Sequence, residues 1–326
     1  MASFAEKIKE AAKNVLKEGL ASGILAYTKG QDIFCERITF VSTKDEISKI
    51  IWPSFGGLNP ANYLKKLKGK KLALFAPGCV ARAVVVLIKE GQIKREDVFL
   101  IGVPCPGMLD PKKLKNSFPQ IIAIEDDFKE NLTIKTPSTS KNLKRIDFLR
   151  DTCLYCKYPL PETYNILLPA EGKRPAKDPY ALVEQIEGLD ISLRSKWFWD
   201  QFLSRCIRCY ACRNACPLCY CDFCFVDETR PAWIGKSRDP IDVALYHLVR
   251  AYHLAGRCVE CGACQAACPF DIPVALLTKK LGKEALHAFG YEAGLSLEEP
   301  LLFNTFHEND PEDFIFTHKL KEQGKI

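Results

Sequence analysis

Residues 206–217 read Cys206-Ile207-Arg208-Cys209-Tyr210-Ala211-Cys212-Arg213-Asn214-Ala215-Cys216-Pro217. Residues 258–269 repeat the pattern as Cys258-Val259-Glu260-Cys261-Gly262-Ala263-Cys264-Gln265-Ala266-Ala267-Cys268-Pro269. Both fit C-x2-C-x2-C-x3-C-P, the run that holds a 4Fe-4S cluster in bacterial ferredoxins. A tight loop turns three thiolates toward three corners of one cubane. The fourth cysteine, on the following helix, points away and in two-cluster ferredoxins ligates the other cluster. The spacing therefore predicts two crossed sets. Cluster one takes Cys206, Cys209, Cys212 and Cys268; cluster two takes Cys258, Cys261, Cys264 and Cys216. Zinc knuckles use two CxxC pairs rather than four close cysteines ending in proline.

Eight further cysteines lie outside these runs. Cys219, Cys221 and Cys224 follow the first run within a few residues and read as extra cluster ligands, with a loop of small buried residues as the bland alternative. Cys153 and Cys156 form a separate CxxC. With Cys79 and Cys105 they make a set of four that fits a third 4Fe-4S cluster, a structural zinc or a thiol–disulfide pair. Cys35 reads as a buried hydrophobe, or as a companion to Cys219, Cys221 and Cys224 if there is a fourth cluster.

Upstream of the cysteine runs the pattern is α/β. Residues 4–16 have helical spacing. Ile24–Thr28 and Arg37–Val41 read as strands, and 42–51 as a capped helix. Lys71–Ala76, Val98–Val103 and Gln120–Ile124 read as further strands, with a helix at Val80–Lys89 between the first two. Alternation of this kind predicts a parallel sheet. Cys79 and Cys105 each follow a strand's C-terminal end, where open α/β sheets place ligands. Residues 136–150 read as a polar linker. Helices are expected over 178–187, 190–204, 240–254 and 273–289. The chain thus divides into an α/β domain with a parallel sheet (1–150), a linker with CxxC and helices (151–200), a dicluster ferredoxin-like module in a mostly helical region (201–290) and a tail (291–326). In the tail, Phe303, Phe306, Phe314 and Phe316 alternate with acidic residues and could wrap the body or dock on a partner.

Composition narrows the function. The 326 residues include 16 cysteines and carry a formal charge of +6. A chain this long buries a normal core without cross-links. No segment approaches the ~18–20 apolar residues of a membrane span, and the charged N-terminus lacks a signal core. These features imply a cytoplasmic protein, where clustered cysteines bind metal or do redox chemistry rather than form disulfides. Residues 1–150 carry +10 and the remainder −4, but no basic stripe with interleaved aromatics marks a nucleic-acid surface. Arg205, Arg208, Arg213 and Arg257 flank the cysteine runs and read mainly as solvated. His247 and His253 are spaced too far apart on one helix to share a metal. Trp197, Phe198 and Trp199 read as core or interface. There is no GxGxxG or P-loop fingerprint.

The run Phe75-Ala-Pro-Gly-Cys79-Val-Ala-Arg82-Ala, followed by Ile101-Gly-Val-Pro-Cys105, resembles the α/β domain of beta subunits of deazaflavin-reducing hydrogenases and formate dehydrogenases. The run Cys206–Cys221 is similar to sulfhydrogenase and anaerobic sulfite reductase iron–sulfur subunits. The second run, with Pro269–Val274, resembles the cluster module of heterodisulfide reductase subunits. The resemblance implies a subunit of a larger redox complex, partnered by other redox subunits. In the deazaflavin-reducing subunits the ferredoxin part tends to precede the flavin domain, whereas here it follows, so flavin binding does not carry over residue by residue. Two functions are expected. In the first, the chain relays single electrons through 4Fe-4S clusters. In the second, the α/β domain binds FAD and exchanges hydride with a deazaflavin or nicotinamide coenzyme.

Overall fold

The computed structural model describes residues 4–169 and 177–303. Helix α1 (Phe4–Lys17) buries Phe4, Ile8, Ala12 and Val15 along one face. Strands β1 (Gly23–Lys29) and β2 (Glu36–Val41) form an antiparallel hairpin. Thr43 and Glu46 form a reciprocal capping box on the one-turn helix α2 (Lys44–Ile47). The helix expected over 42–51 stops there. Ile50 and Ile51, two β-branched residues in succession, instead form β3 and pair with Thr28 and Tyr27 of β1.

Strands β4 (Leu72–Ala76) and β5 (Val98–Gly102) are buried along their whole length. Their continuous apolar runs suit a sheet covered on both faces. Helix α3 (Gly78–Lys89) crosses between them, and β1, β4 and β5 are mutually parallel. The sheet order is β2-β1-β4-β5-β9, where β9 (Ile166–Leu167) lies beyond the CxxC pair and joins β5 in parallel. Side chains divide by the two-residue period of the strand. Leu25, Leu72, Leu74 and Leu100 face α3, while Ile24, Ala73, Phe75 and Ile101 face α1.

After α4 (Pro111–Ser117), strand β6 (Ala123–Asp126) does not extend the parallel sheet as the alternation predicted. It joins β7 (Asn131–Lys135) and β8 (Ser140–Lys144) in a separate antiparallel meander. Short turns link these strands, and such turns favour antiparallel neighbours over a crossover. The expected linker over 136–150 contains β8, an edge strand with exposed lysines and no apolar alternation to betray it.

The remaining elements are helical: α5 (Asp151–Leu154), α6 (Ala181–Glu187), α7 (Ile191–Phe198), α8 (Ala211–Asn214), α9 (Pro240–His253), α10 (Ala263–Ala266) and α11 (Val274–Phe289). Asp239 caps α9 through the Ile241 amide, with Pro240 in the first turn. Phe303 is exposed against Phe289; Phe306, Phe314 and Phe316 lie outside the described residues.

The two halves share one core. Leu218, Leu254, Val259, Tyr291 and Ala293 pack with the α3 face of the sheet. Polar contacts reinforce the joint. Arg257 pairs with Glu90, Lys65 with Asp222 at 3.0 Å, and Arg82 donates to the Ala293 carbonyl at 2.8 Å. Arg208 and Arg257 are therefore engaged rather than solvated: Arg208 is buried and donates to the carbonyls of Gly235 and Ser237.

Buried Arg145 fixes the loop carrying Cys105. It donates to Asp126 of β6 and to the carbonyls of Pro106 and Gly107, each at 2.7 Å. Arg145→Met leaves Asp126 buried without its cation and should cost about 3–5 kcal/mol. Urea denaturation should show a correspondingly lower midpoint.

Candidate iron–sulfur centres

The two cysteine runs fold alike. In each, the residue two after the first cysteine has positive φ, at Arg208 (55°) and Glu260 (57°). Two residues further on, Tyr210 (59°) and Gly262 (71°) do the same and cap the short helices α8 and α10. In both runs the first thiol accepts from the amide two residues later, Arg208 N or Glu260 N, at 3.4 Å. Left-handed backbone at a non-glycine residue costs on the order of 1–2 kcal/mol. Three such residues recurring in register mark a built loop whose amides turn inward.

Only Gly262 breaks the correspondence, and packing explains it. A Cβ there would lie 2.3 Å from Thr152 Oγ1 and 2.8 Å from Thr152 Cβ. The second run thus lies directly against α5, which carries Cys153. Tyr210 at the equivalent position of the first run instead stacks edge-on with Tyr246.

The thiols fall into neighbouring groups. Cys206, Cys209, Cys212 and Cys268 line one cavity. Burial raises the Cys206 pKa, and the Cys212, Cys268 and Cys209 thiols add to the effect. Burial also raises Cys258, Cys261 (to about 12) and Cys264, with Cys216 the neighbouring thiol common to all three. A third group converges at the sheet edge. Cys79 is held well above its usual pKa by burial first, then by Cys261, Cys105, Cys156 and Cys153. Cys79, Cys105 and Cys153 line one cleft together with Cys261 of the second run. That cleft is about 60 Å³, well below the roughly 300–1,000 Å³ of an organic-cofactor pocket. Cys35 lies apart in the β1–β2 turn, exposed and against Gly30.

Three side chains that the sequence reading missed surround these thiols. Arg250 of α9 is buried, and its Nε has no hydrogen-bond partner among the described residues. Burial opposes its charge, but the thiols of Cys264, Cys219, Cys216 and Cys212 outweigh burial and raise its pKa. A buried cation surrounded by sulfur rather than carboxylate fits an anionic occupant, and a 4Fe-4S cluster with four thiolates is one. His247 lines the first cavity with neither ring nitrogen partnered among the described residues. Burial, with Arg250 and Arg208, lowers its pKa to about 4, so the imidazole is neutral and keeps one N–H to donate. Tyr246 Oη lies 3.1 Å from Cys212 Sγ. No spacing rule reaches these residues, because helical periodicity marks them only as the inner face of α9.

Comparison with known proteins agrees with this geometry. Residues 202–272 match the family described as a 4Fe-4S dicluster domain. Over nearly its whole length the chain is similar to two curated proteins. The F420-dependent formate dehydrogenase subunit beta of Methanocaldococcus jannaschii is 26% identical, with 90% of this chain and 92% of that protein covered. The F420-dependent formate dehydrogenase 1 subunit beta of Methanococcus maripaludis is 25% identical, with 88% and 90% covered. Among solved structures, a chain of the F420-reducing NiFe hydrogenase complex from Methanosarcina barkeri matches at 15% identity and a TM-score of 0.34, covering 47% of this chain and 63% of that one. Among the described residues no helix is long and apolar enough to cross a membrane.

Two outcomes test the geometry. Cys268→Ser should remove the EPR signal of cluster one and spare cluster two, and Cys216→Ser should do the reverse; uncrossed ligation exchanges the two results. Arg250→Met removes a cation that favours the reduced, more negative clusters. Their midpoint potentials should fall by on the order of tens of millivolts, while Arg250→Lys keeps them near wild type.

Proposed function

We propose that this chain is an electron-transfer subunit of an anaerobic redox complex of the formate dehydrogenase or hydrogenase type, and that it relays single electrons through three 4Fe-4S clusters. The observation that carries the reading is the grouping of twelve cysteines into three neighbouring sets, with Cys261 of the second set beside Cys79 of the third. The clusters would supply one-electron redox chemistry. The chain's own residues do the rest. Cys206, Cys209, Cys212 and Cys268 would bind the first, Cys258, Cys261, Cys264 and Cys216 the second, and Cys79, Cys105, Cys153 and Cys156 the third. Arg250 balances charge, His247 has an N–H to offer sulfur, and the shared core excludes water, all of which tune potential.

An exposed surface supports a partner subunit. Ile241, Leu245, Leu248 and Tyr252 form an apolar stripe on the outer side of α9. Tyr246 and Arg250, on its inner side, touch the cysteine groups. An exposed apolar stripe of this kind suits a protein interface, here one helix away from the thiols.

Anaerobic purification with iron and sulfide counting tests the reading. About twelve irons are expected for these three sets, and Cys79→Ser with Cys105→Ser should remove about four. An unchanged count would discard the third cluster. The relatives' names favour a second reading, in which the α/β part binds a flavin and exchanges hydride with a deazaflavin. Flavin released by denaturing the purified chain would support it, and a flavin-free supernatant would count against it.

A further inference from the structure

One group of cysteines is left over by the three sets. Cys219, Cys221 and Cys224 line a cavity of about 450 Å³ between the 217–227 segment and α9. We propose that this cavity is a fourth metal centre, an iron–sulfur cluster bound by Cys219, Cys221 and Cys224, with His253 facing the remaining iron. The proposal goes beyond the electron-transfer reading and draws on it only for the position of cluster two.

Local chain geometry places the thiols. The segment after Pro217 has no regular structure. Tyr220 donates through Oη to Glu90 at 2.6 Å, and Asp222 pairs with Lys65 at 3.0 Å. Both thus anchor the segment to the α/β half. Cys219, Cys221 and Cys224 line the cavity, together with Asp222. Cys219 and Cys224 pack in part against neighbouring apolar clusters, but Cys221 is exposed and has no such role.

Charge and size point to the occupant. Arg213, Arg250 and Arg257 all line the cavity, and the Cys224 thiol is among the neighbours that raise the Arg213 pKa. Arg213 is paired with Asp227 and Arg257 with Glu90, which leaves buried Arg250 as the cation here that an occupant with net negative charge would balance. A single zinc ion fits poorly. Among the described residues no three His, Cys, Asp or Glu side chains converge on one ion-sized point. The three sets proposed as cubane ligands share that property, because a cluster spreads its ligands over separate corners. His253 lines the same cavity, with its ring edge-on to Phe225 at 5.4 Å. The Cys219 amide donates to the carbonyl of Cys216, a member of the second set, at 3.3 Å. The new centre would therefore branch from cluster two, on the side away from the sheet edge.

The test uses the full chain, purified or reconstituted anaerobically with iron and sulfide. The Cys221→Ser/Cys224→Ser variant should lose about four irons and an equal amount of acid-labile sulfide, while the EPR signals of clusters one and two persist. Cys35→Ser, also at an exposed position, should change neither count. His253→Ala should keep the iron and abolish a strongly coupled nitrogen signal in pulsed EPR of the reduced protein. An unchanged iron count in the double variant, or loss of one zinc without sulfide, overturns the proposal. Absence of the nitrogen signal in the wild type removes His253 from it. Fewer than about eight irons in the wild type would instead sink the dicluster reading itself, so the two failures are distinguishable.

Discussion

The helical half is organised around one buried positive charge. Arg250 sits where thiols from both cysteine runs and from the following segment meet, and those thiols are what raise its pKa. Burying an unpaired guanidinium is expensive, so the site needs concentrated negative charge. Burial pushes the Cys264 thiol toward its neutral form, whereas thiolates on a bound iron–sulfur cluster would supply that charge. Cluster loading and stability of this half are therefore linked through α9, which carries Arg250, His247 and Tyr246 on one face.

The α/β half contributes differently. Its strands end at a common edge, and the chain turns sharply there with Pro77-Gly78 and Pro104 through Gly107. A Cβ at Gly78 would meet the Tyr158 carbonyl at 2.1 Å, so the segment after Cys156 lies hard against the start of α3. The same edge that holds nucleotides in other open sheets here presents Cys79 and Cys105 to a CxxC loop.

Much of this was legible in the sequence. The paired CxxCxxCxxxCP runs encoded the two matching loops, because ligand spacing is a local property. The convergence of Cys79 and Cys105 followed from strand ends lying on one edge. The β6–β8 meander was not legible, since β8 is a solvated lysine-bearing edge without alternation. Nor were Arg250 and His247, whose roles depend on which face of α9 turns inward. The engagement of Arg208 and Arg257 likewise depends on carbonyls and a carboxylate distant in sequence.

Gly262 sets how closely the two halves can approach. With no side chain there, the second cysteine run rests on Thr152, one residue from Cys153. Electron tunnelling falls off exponentially with separation, so a single methyl group at this point would act as an insulating spacer. The ferredoxin-like region is thus no interchangeable cassette. Grafted onto another scaffold, it would keep its own loops but lose the bare patch that Thr152 covers here.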